Sequence, residues 1–182
     1  MGNKRMSTLE YLEKSERTEK KFPEGKTLSK EQVAVLQYLS YQLLTLGEDF
    51  DKTKKHLIYD APKNVNVPIS MFINAKHRDL SQEQMELLHH ALGKVTEAIE
   101  VFEAVADYVL KDKELDKVNL LEEVGDNFWY DAGILRLLQK TFEDAMEPNI
   151  EKLQIRYPGK FTEEHALNRD LEREHDILAR DM

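Results

Sequence analysis

Residues 81–110 read SQEQMELLHHALGKVTEAIEVFEAVADYVL and form the most regular apolar pattern in the 182-residue chain. Apolar side chains recur there at helical spacing, at Leu87, Leu88, Ala91, Leu92, Val95, Ala98, Ile99, Phe102, Val105 and Val109. A helix with so broad an apolar face is stable only when that face packs against other elements. Ser81, with Gln84 three residues later, predicts a capping box at its start. The stretch therefore predicts a long helix inside a helical domain.

Helical spacing also occurs before this stretch, and turn-forming residues separate the two regions. Ser29 with Gln32 predicts the start of a helix that continues to about Thr45, and Gly47 is expected to end or kink it. The first 28 residues are polar and charged, which is typical of a mobile arm with room for a short helix. Residues 58–80 contain two prolines and are expected to form an irregular connection. The predicted divisions are an arm (1–28), a helical extension with its connection (29–80) and a helical domain (81–182).

Three shorter helices are predicted after residue 111. Their predicted N-terminal signals are Asn119 with Glu122, Thr141 with Asp144, and Thr162 alone. Pro148 is expected to kink or restart the second of these helices. The connections between them are short, which favours antiparallel neighbours. The predicted fold class is all-α, an antiparallel bundle of four to five helices with an irregular N-terminal extension.

Composition narrows the classes of protein to which the chain can belong. It has no cysteine, which excludes a disulfide framework, a thiolate metal site and a thiol nucleophile. Its formal net charge of −9 argues against a nucleic-acid partner, because binding to a phosphate backbone needs clustered basic residues. The sequence contains neither an apolar run long enough to cross a membrane nor a signal-peptide pattern. We expect a cytoplasmic protein without a membrane partner.

Two pairs of carboxylates are the candidate functional residues. Glu97 with Glu100, and Glu123 with Asp126, are each spaced i, i+3, so both members of a pair project from one face of a helix. Both pairs border apolar stripes, and Gly125 inside the second pair would let two helices approach closely. If the two helices pack antiparallel, four acidic groups meet, and their burial is costly unless a cation compensates it. Oxygen ligands favour a hard divalent metal such as Mg²⁺.

The sequence also allows other interpretations. Acidic pairs on solvated helix faces are expected by chance in a chain with 35 acidic residues. A di-iron carboxylate bundle uses E-x-x-H pairs, and this spacing occurs at Glu86/His89 and at Glu172/His175. A non-catalytic helical interaction or regulatory protein is a further alternative. We interpret His89 and His90 as packing or surface residues, and we expect Phe128 and Trp129 to be core residues rather than a platform for a base.

Ordered motifs occupy nearly half of the chain, within residues 90–175. They are HALG (90–93), TEAIE (96–100), NLLEEVGD (119–126), WY (129–130), NIEKL (149–153), RYP (156–158) and ALNRDL (166–171). In this order the chain resembles the all-α nucleoside-triphosphate pyrophosphohydrolases of the MazG-like type, especially phage-encoded members. The family pattern is E-x-x-E followed, after a gap, by E-x-x-D. Ile99 departs from the family, whose members commonly have glycine at this position.

The resemblance implies a function and assigns roles to residues. Glu97, Glu100, Glu123 and Asp126 would hold Mg²⁺, with Mn²⁺ able to substitute, and either Glu100 or Glu123 would orient or deprotonate the attacking water. Asn149, Lys152, Arg156 and Tyr157 would contact the substrate phosphates or shape their pocket. The reaction would cleave a ribo- or deoxynucleoside triphosphate to the monophosphate and pyrophosphate. The family also implies a homo-oligomer, a dimer or tetramer, in the host cytoplasm if the protein is phage-encoded.

Overall fold

The structure, a computed structural model, describes residues 5–22, 27–61 and 79–180. These ranges contain seven helices: α1 (Thr8–Glu16), α2 (Lys30–Tyr59), α3 (Gln82–Leu110), α4 (Lys117–Leu137), α5 (Phe142–Arg156), α6 (Glu163–Leu167) and α7 (Leu171–Ala179). No strand occurs within the described ranges, so the all-α prediction is confirmed, with more helices than the four to five expected. None of the described helices combines the length and the apolar character needed to cross a membrane. Most of the connection expected over residues 58–80 lies outside the described residues.

The described chain forms two compact units. One unit takes its described residues from 1–26 and 139–182, and in it α5 packs against α1 and α7. The other takes its described residues from 27–138, and in it α3 packs against both α2 and α4. Helix α2, which belongs to the predicted N-terminal extension, therefore packs together with the two helices that carry the acidic pairs.

The predicted helix starts agree with the structure at three of the capping boxes. Ser29 with Gln32, Ser81 with Gln84, and Thr141 with Asp144 each exchange both side-chain-to-backbone hydrogen bonds. The start predicted for α4 at Asn119 is wrong, because Asp116 is the N-cap. Its Oδ1 accepts hydrogen bonds from the backbone N–H groups of residues 118 and 119, both at 3.0 Å. A carboxylate at this position satisfies free N–H groups of the first turn, so the helix begins earlier.

Neither Gly47 nor Pro148 ends a helix, whereas one unpredicted interruption does occur. Helix α2 continues through Gly47 to Tyr59, and α5 continues through Pro148 without a restart. The last helix, predicted as one, is divided into α6 and α7. Asp170 causes this division by accepting a hydrogen bond from the Arg173 backbone N–H at 3.1 Å, which starts a new helix. Sequence signals for caps were thus more reliable than glycine or proline as signals for breaks.

Close helix packing explains why glycine is tolerated inside α2 and α3. A Cβ atom added to Gly47 would lie 2.8 Å from Cγ2 of Ile99 on α3, and one added to Gly93 would lie 2.0 Å from Tyr130 on α4. The packing gained offsets the roughly 1 kcal/mol that a helix-interior glycine costs relative to alanine. Ile99, the residue that departs from the family pattern, therefore packs against a glycine on the neighbouring helix. Gly125 has no atom within 4 Å of a Cβ built on it, so the close approach expected there is wrong.

Alanine substitutions at Gly47 and Gly125 are expected to change stability in opposite directions. Gly125→Ala should raise the free energy of unfolding by about 0.5–1 kcal/mol, because it gains helix propensity without a clash. Gly47→Ala should lower it by about 1 kcal/mol or more, because the new methyl group overlaps Ile99. Urea denaturation of both variants measures the difference. Equal stabilisation by the two substitutions would show that α2 does not pack on Ile99 as described.

Candidate metal centre

Three of the four predicted acidic residues come together in the unit formed by α2, α3 and α4. One carboxylate oxygen each from Glu97, Glu100 and Glu123 lies within 4.8 Å of the others. Glu97 and Glu100 share a face of α3 because of their i, i+3 spacing, and the packing of α4 on α3 adds Glu123. Glu97 and Glu123 are buried, whereas Glu100 is exposed. This group of three is the only such cluster among the described residues, and we call it the acidic cluster.

The fourth predicted residue, Asp126, lies at the edge of the acidic cluster. It is exposed, and it lines a surface pocket together with Glu97, Trp129 and Tyr130. A second pocket borders the other members of the cluster and is lined by Glu100, Glu103, Ala104, Asp107, Lys113, Glu114, Asp116, Asn119 and Glu123. The cluster can therefore be reached from solvent through both pockets.

The carboxylates of the acidic cluster repel one another. Burial raises the pKa of Glu123 to about 7, with further contributions from the charge of Glu100, a hydrogen bond to it, and the charge of Glu97. Burial and the charge of Glu97 also raise the pKa of Glu100, while the hydrogen bond with Glu123 opposes that increase. A buried group of oxygen donors that retains a proton near neutrality can exchange the proton for a cation. The donor set therefore fits a hard divalent metal such as Mg²⁺.

Lys54 of α2 contacts the acidic cluster, and the sequence had not indicated it. Its side chain is 8% exposed, and its Nζ donates a hydrogen bond to Thr96 Oγ1 at 2.9 Å. The same Nζ lies 3.8 Å from Glu97 Oε1, 3.5 Å from Asp51 Oδ1 and 5.8 Å from the ring centroid of Tyr130. A lysine from the predicted N-terminal extension thus supplies a positive charge at the first acidic pair.

Aromatic side chains form a cluster beside the first pair. His90 is buried, and its ring centroid lies 5.5 Å from that of Trp129 and 6.2 Å from that of Tyr130. Burial lowers the pKa of both His89 and His90, which favours their neutral forms. The interpretation of these histidines as packing residues is confirmed. Nowhere in the described ranges does a histidine join carboxylates in a possible metal site, so the di-iron alternative has no structural support.

The expectation that Phe128 and Trp129 belong to the core is wrong. Their exposed fractions are 58% and 53%. Helical spacing cannot distinguish an apolar face that packs from one that remains exposed, and the α4 face that carries these residues is exposed within its unit. Both rings are therefore accessible from solvent, and Trp129 lines the pocket that contains Glu97 and Asp126.

Three of the predicted phosphate contacts lie on α5, and Tyr157 follows directly as the C-cap of that helix, in the unit that α5 forms with α1 and α7. Arg156 donates from Nε to one oxygen of Glu174 at 2.8 Å and from Nη2 to the other at 2.5 Å. Arg169 donates to the same carboxylate at 2.7 Å. These hydrogen bonds lower the pKa of the buried Glu174 to about 2. Neither Glu174 nor its pairing with Arg156 was predicted from the sequence.

The other three predicted phosphate residues also have local partners. Asn149 Oδ1 accepts a hydrogen bond from the Tyr11 hydroxyl at 3.3 Å. Tyr157 is buried, with its ring centroid 5.4 Å from that of Phe161. Lys152 is half-buried, and its pKa is lowered by burial first and by the charge of Arg156 second. A phosphate-binding role for these residues therefore stays a prediction.

Comparisons with known protein families, curated proteins and solved structures gave no match to this chain. Within the chain itself, the strongest observation is the convergence of Glu97, Glu100 and Glu123.

The metal-free protein is expected to lose stability as the pH rises from 4.5 to about 7. The Glu123 carboxyl has a raised pKa in the folded state, so the unfolded chain ionises first and gains stability over this interval. The loss should reach up to roughly 3 kcal/mol, and it should be smaller in Glu123→Gln, which has no proton to release there. Urea denaturation in a chelator at several pH values measures both proteins. Identical pH profiles would show that Glu123 ionises normally in the folded state.

Proposed function

We propose that the protein is a divalent-metal-dependent nucleoside-triphosphate pyrophosphohydrolase of the MazG-like type. The single observation that carries the proposal is the convergence of Glu97, Glu100 and Glu123 from two adjacent helices. These residues occupy the first three acidic positions of the E-x-x-E and E-x-x-D motifs, and Asp126, the fourth, lies at the edge of the same surface. The all-α fold is compatible with this family.

The acidic residues would perform two tasks in this reaction. Together they would hold Mg²⁺, which when bound supplies positive charge to the phosphate oxygens and activates water. Glu100 or Glu123 would orient or deprotonate the attacking water. Either residue would act through a carboxylate oxygen that the metal leaves free, because a metal-bound oxygen is a weaker base. Water would attack the α-phosphorus, the bond to the bridging oxygen would break, and pyrophosphate would leave.

Substrate recognition is proposed from the side chains around the cluster and from the resemblance. Trp129 is exposed and lines the pocket that contains Glu97 and Asp126, and stacking on a nucleobase is a use of such a ring that does not depend on one base. The resemblance alone supports roles for residues of α5 and its C-cap as phosphate contacts or as parts of the phosphate pocket: Asn149, Lys152, Arg156 and Tyr157.

Self-association is part of the proposal. Val118, Leu121 and Phe128 lie at spacings of three and seven residues along α4 and are 79%, 73% and 58% exposed. An apolar stripe of this kind is typical of an interaction surface, which supports the dimer or tetramer that the family implies. The same stripe also favours the alternative function, a non-catalytic helical interaction protein. Activity measurements separate the two.

The test is pyrophosphate release from a panel of ribo- and deoxynucleoside triphosphates. We expect no turnover in excess chelator and recovery when Mg²⁺ or Mn²⁺ is added, because all proposed ligands are carboxylate oxygens. The products should be the nucleoside monophosphate and pyrophosphate. A Glu97→Gln/Glu123→Gln double variant purified in parallel controls for contaminating phosphatases. Full turnover in excess chelator would contradict the proposed mechanism, and no turnover with any nucleotide would favour the interaction protein.

A further inference from the structure

We infer that Lys54 is a positioning residue of the candidate metal centre, fixing Glu97 so that only one of its carboxylate oxygens is available to a cation. The inference rests on the proposed function, since it concerns the same centre. It extends that centre to α2, which lies outside the motif-bearing residues 90–175 and to which the resemblance assigns no role.

The ammonium group of Lys54 is buried and contacts specific residues of α2 and α3. Its side chain is 8% exposed, and a buried ammonium group is stable only when hydrogen bonds and opposite charges replace its hydration. Thr96 Oγ1 accepts a hydrogen bond from Nζ at 2.9 Å, while Asp51 Oδ1 at 3.5 Å and Glu97 Oε1 at 3.8 Å supply negative charge. Lys54 is therefore enclosed between its own helix and the residue pair Thr96–Glu97.

The contacts of Glu97 are concentrated on one of its two oxygens. Oε1 lies 3.8 Å from Lys54 Nζ and 3.1 Å from the Thr96 hydroxyl. That hydroxyl also lies 2.7 Å from the backbone oxygen of Gly93, which ties it to the preceding turn of α3. Because the hydroxyl has a single proton, it bonds to only one of these two oxygens at a time, and the lasting neighbour of Oε1 is the Lys54 ammonium group. That positive charge disfavours a cation at Oε1, so a cation is favoured at Oε2. Lys54 thereby favours one-oxygen binding by Glu97 and lowers the negative charge of the centre.

Removing Lys54 should therefore change metal affinity and turnover in opposite directions. In Lys54→Met, the centre loses a neighbouring positive charge and Glu97 gains the freedom to bind with both oxygens, so Mn²⁺ should bind about tenfold more tightly. Turnover should fall about tenfold or more, because a two-oxygen Glu97 holds the metal in a different position relative to Glu123. A residue that only stabilised the fold would lower both quantities together.

The experiment measures Mn²⁺ affinity of the full chain by isothermal titration and turnover by pyrophosphate release. Lys54→Arg keeps the charge and should bind Mn²⁺ with nearly wild-type affinity. Lys52→Met is the matched control, because Lys52 lies on the same helix and pairs with Glu48, outside the acidic cluster. It removes the same charge from α2 and should leave both quantities within about twofold of wild type. Thr96→Val removes the hydroxyl between Lys54 and Glu97 and should shift both quantities in the direction of Lys54→Met.

The outcomes separate this inference from the proposed function. The inference is supported if Lys54→Met binds Mn²⁺ more tightly and turns over more slowly. It also requires that Lys54→Arg retains its affinity and that Lys52→Met is unaffected. Unchanged values in Lys54→Met, or a parallel loss of affinity and turnover, overturn it while wild-type activity keeps the proposed function intact. If Lys54→Met does not fold, Thr96→Val decides, and unchanged or jointly lower values overturn the inference. A wild-type protein that binds no Mn²⁺ would overturn both.

Discussion

Replacement of Glu123 by glutamine is expected to lower kcat for pyrophosphate release by about a hundredfold or more. The substitution preserves the size of the side chain but removes the charge at the centre of the acidic cluster. Glu123 is buried and contributes one of the three oxygen atoms that lie within 4.8 Å of one another. The loss therefore affects metal binding and, if Glu123 accepts the proton of water, the chemical step as well. Steady-state kinetics at saturating Mg²⁺ measure the effect.

At the other acidic positions, the loss of turnover should depend on whether the residue belongs to the acidic cluster. Glu97→Gln and Glu100→Gln should cause losses similar to that of Glu123→Gln, since both residues belong to the acidic cluster. Asp126→Asn should lower turnover less, because its side chain is exposed at the cluster's edge. Equal losses at all four positions would place Asp126 inside the centre in the active protein.

A neighbouring glutamate provides the control for Glu123. Glu122 is exposed on the same turn of α4, and Glu122→Gln should keep kcat within about twofold of wild type. The metal-free Glu123→Gln protein should be at least as stable as wild type near neutral pH, because the substitution relieves repulsion in the cluster. Loss of turnover can then not be attributed to unfolding. Wild-type turnover in all four acidic variants would place the active site elsewhere.

Three helix starts were predictable because their capping signal is local, whereas the signal at Asn119 was misleading because Asp116 caps α4. A capping box needs two residues three positions apart, and the boxes at Ser29, Ser81 and Thr141 were identified correctly. Gly47 was misinterpreted because its role depends on Ile99, a residue of another helix that spacing along the chain cannot reveal. Tertiary packing overrides the helix propensity of a single residue there.

The parts of the candidate site that could be predicted are those whose residues lie on one helix. Each acidic pair lies within one helical turn, so its shared face follows directly from its spacing. Predicting the role of Lys54 required knowing that α2 continues beyond Gly47. The buried residues of α2 are Ser40, Gly47 and Lys54, each seven residues after the previous one, and this period would have marked Lys54 as part of the packed face. Because Gly47 was expected to end or kink the helix, Lys54 was not placed on it.

The carboxylate partner of Arg156 could not be predicted from spacing along the sequence. Lys152 and Arg156 share a helix face, and the i, i+4 spacing is compatible with a phosphate clamp. The acid that binds Arg156 is Glu174, on a different helix and 18 residues away. This pair uses two of the five N–H donors of the guanidinium, and Arg156 also makes a side-chain hydrogen bond to Tyr157, so donors remain for a phosphate. The predicted phosphate contact and the observed ion pair are therefore compatible.

Replacement of Glu174 by alanine is expected to lower the free energy of unfolding by about 3–5 kcal/mol near neutral pH, the largest effect on stability. Glu174 is 3% exposed and accepts hydrogen bonds from Arg156 and from Arg169. Its removal leaves Arg156, which is itself half-buried, without its carboxylate partner. Urea denaturation, followed by the far-ultraviolet signal of the helices, measures the loss.

The pH dependence identifies the ion pair as the cause of that stability. Glu174 has a pKa of about 2 when folded, below its ordinary value of 4.5, because both arginines favour its charged form. Its contribution is therefore fully present above pH 4.5 and is lost as the pH falls towards 2, by roughly 3 kcal/mol. Glu174→Gln cannot titrate and should lose correspondingly less stability over this interval. Glu172→Gln, at an exposed position of the same helix, should retain the wild-type profile. If wild type and Glu174→Gln lost stability equally between pH 4.5 and 2, the two arginines would not be holding this carboxylate in its ionised form.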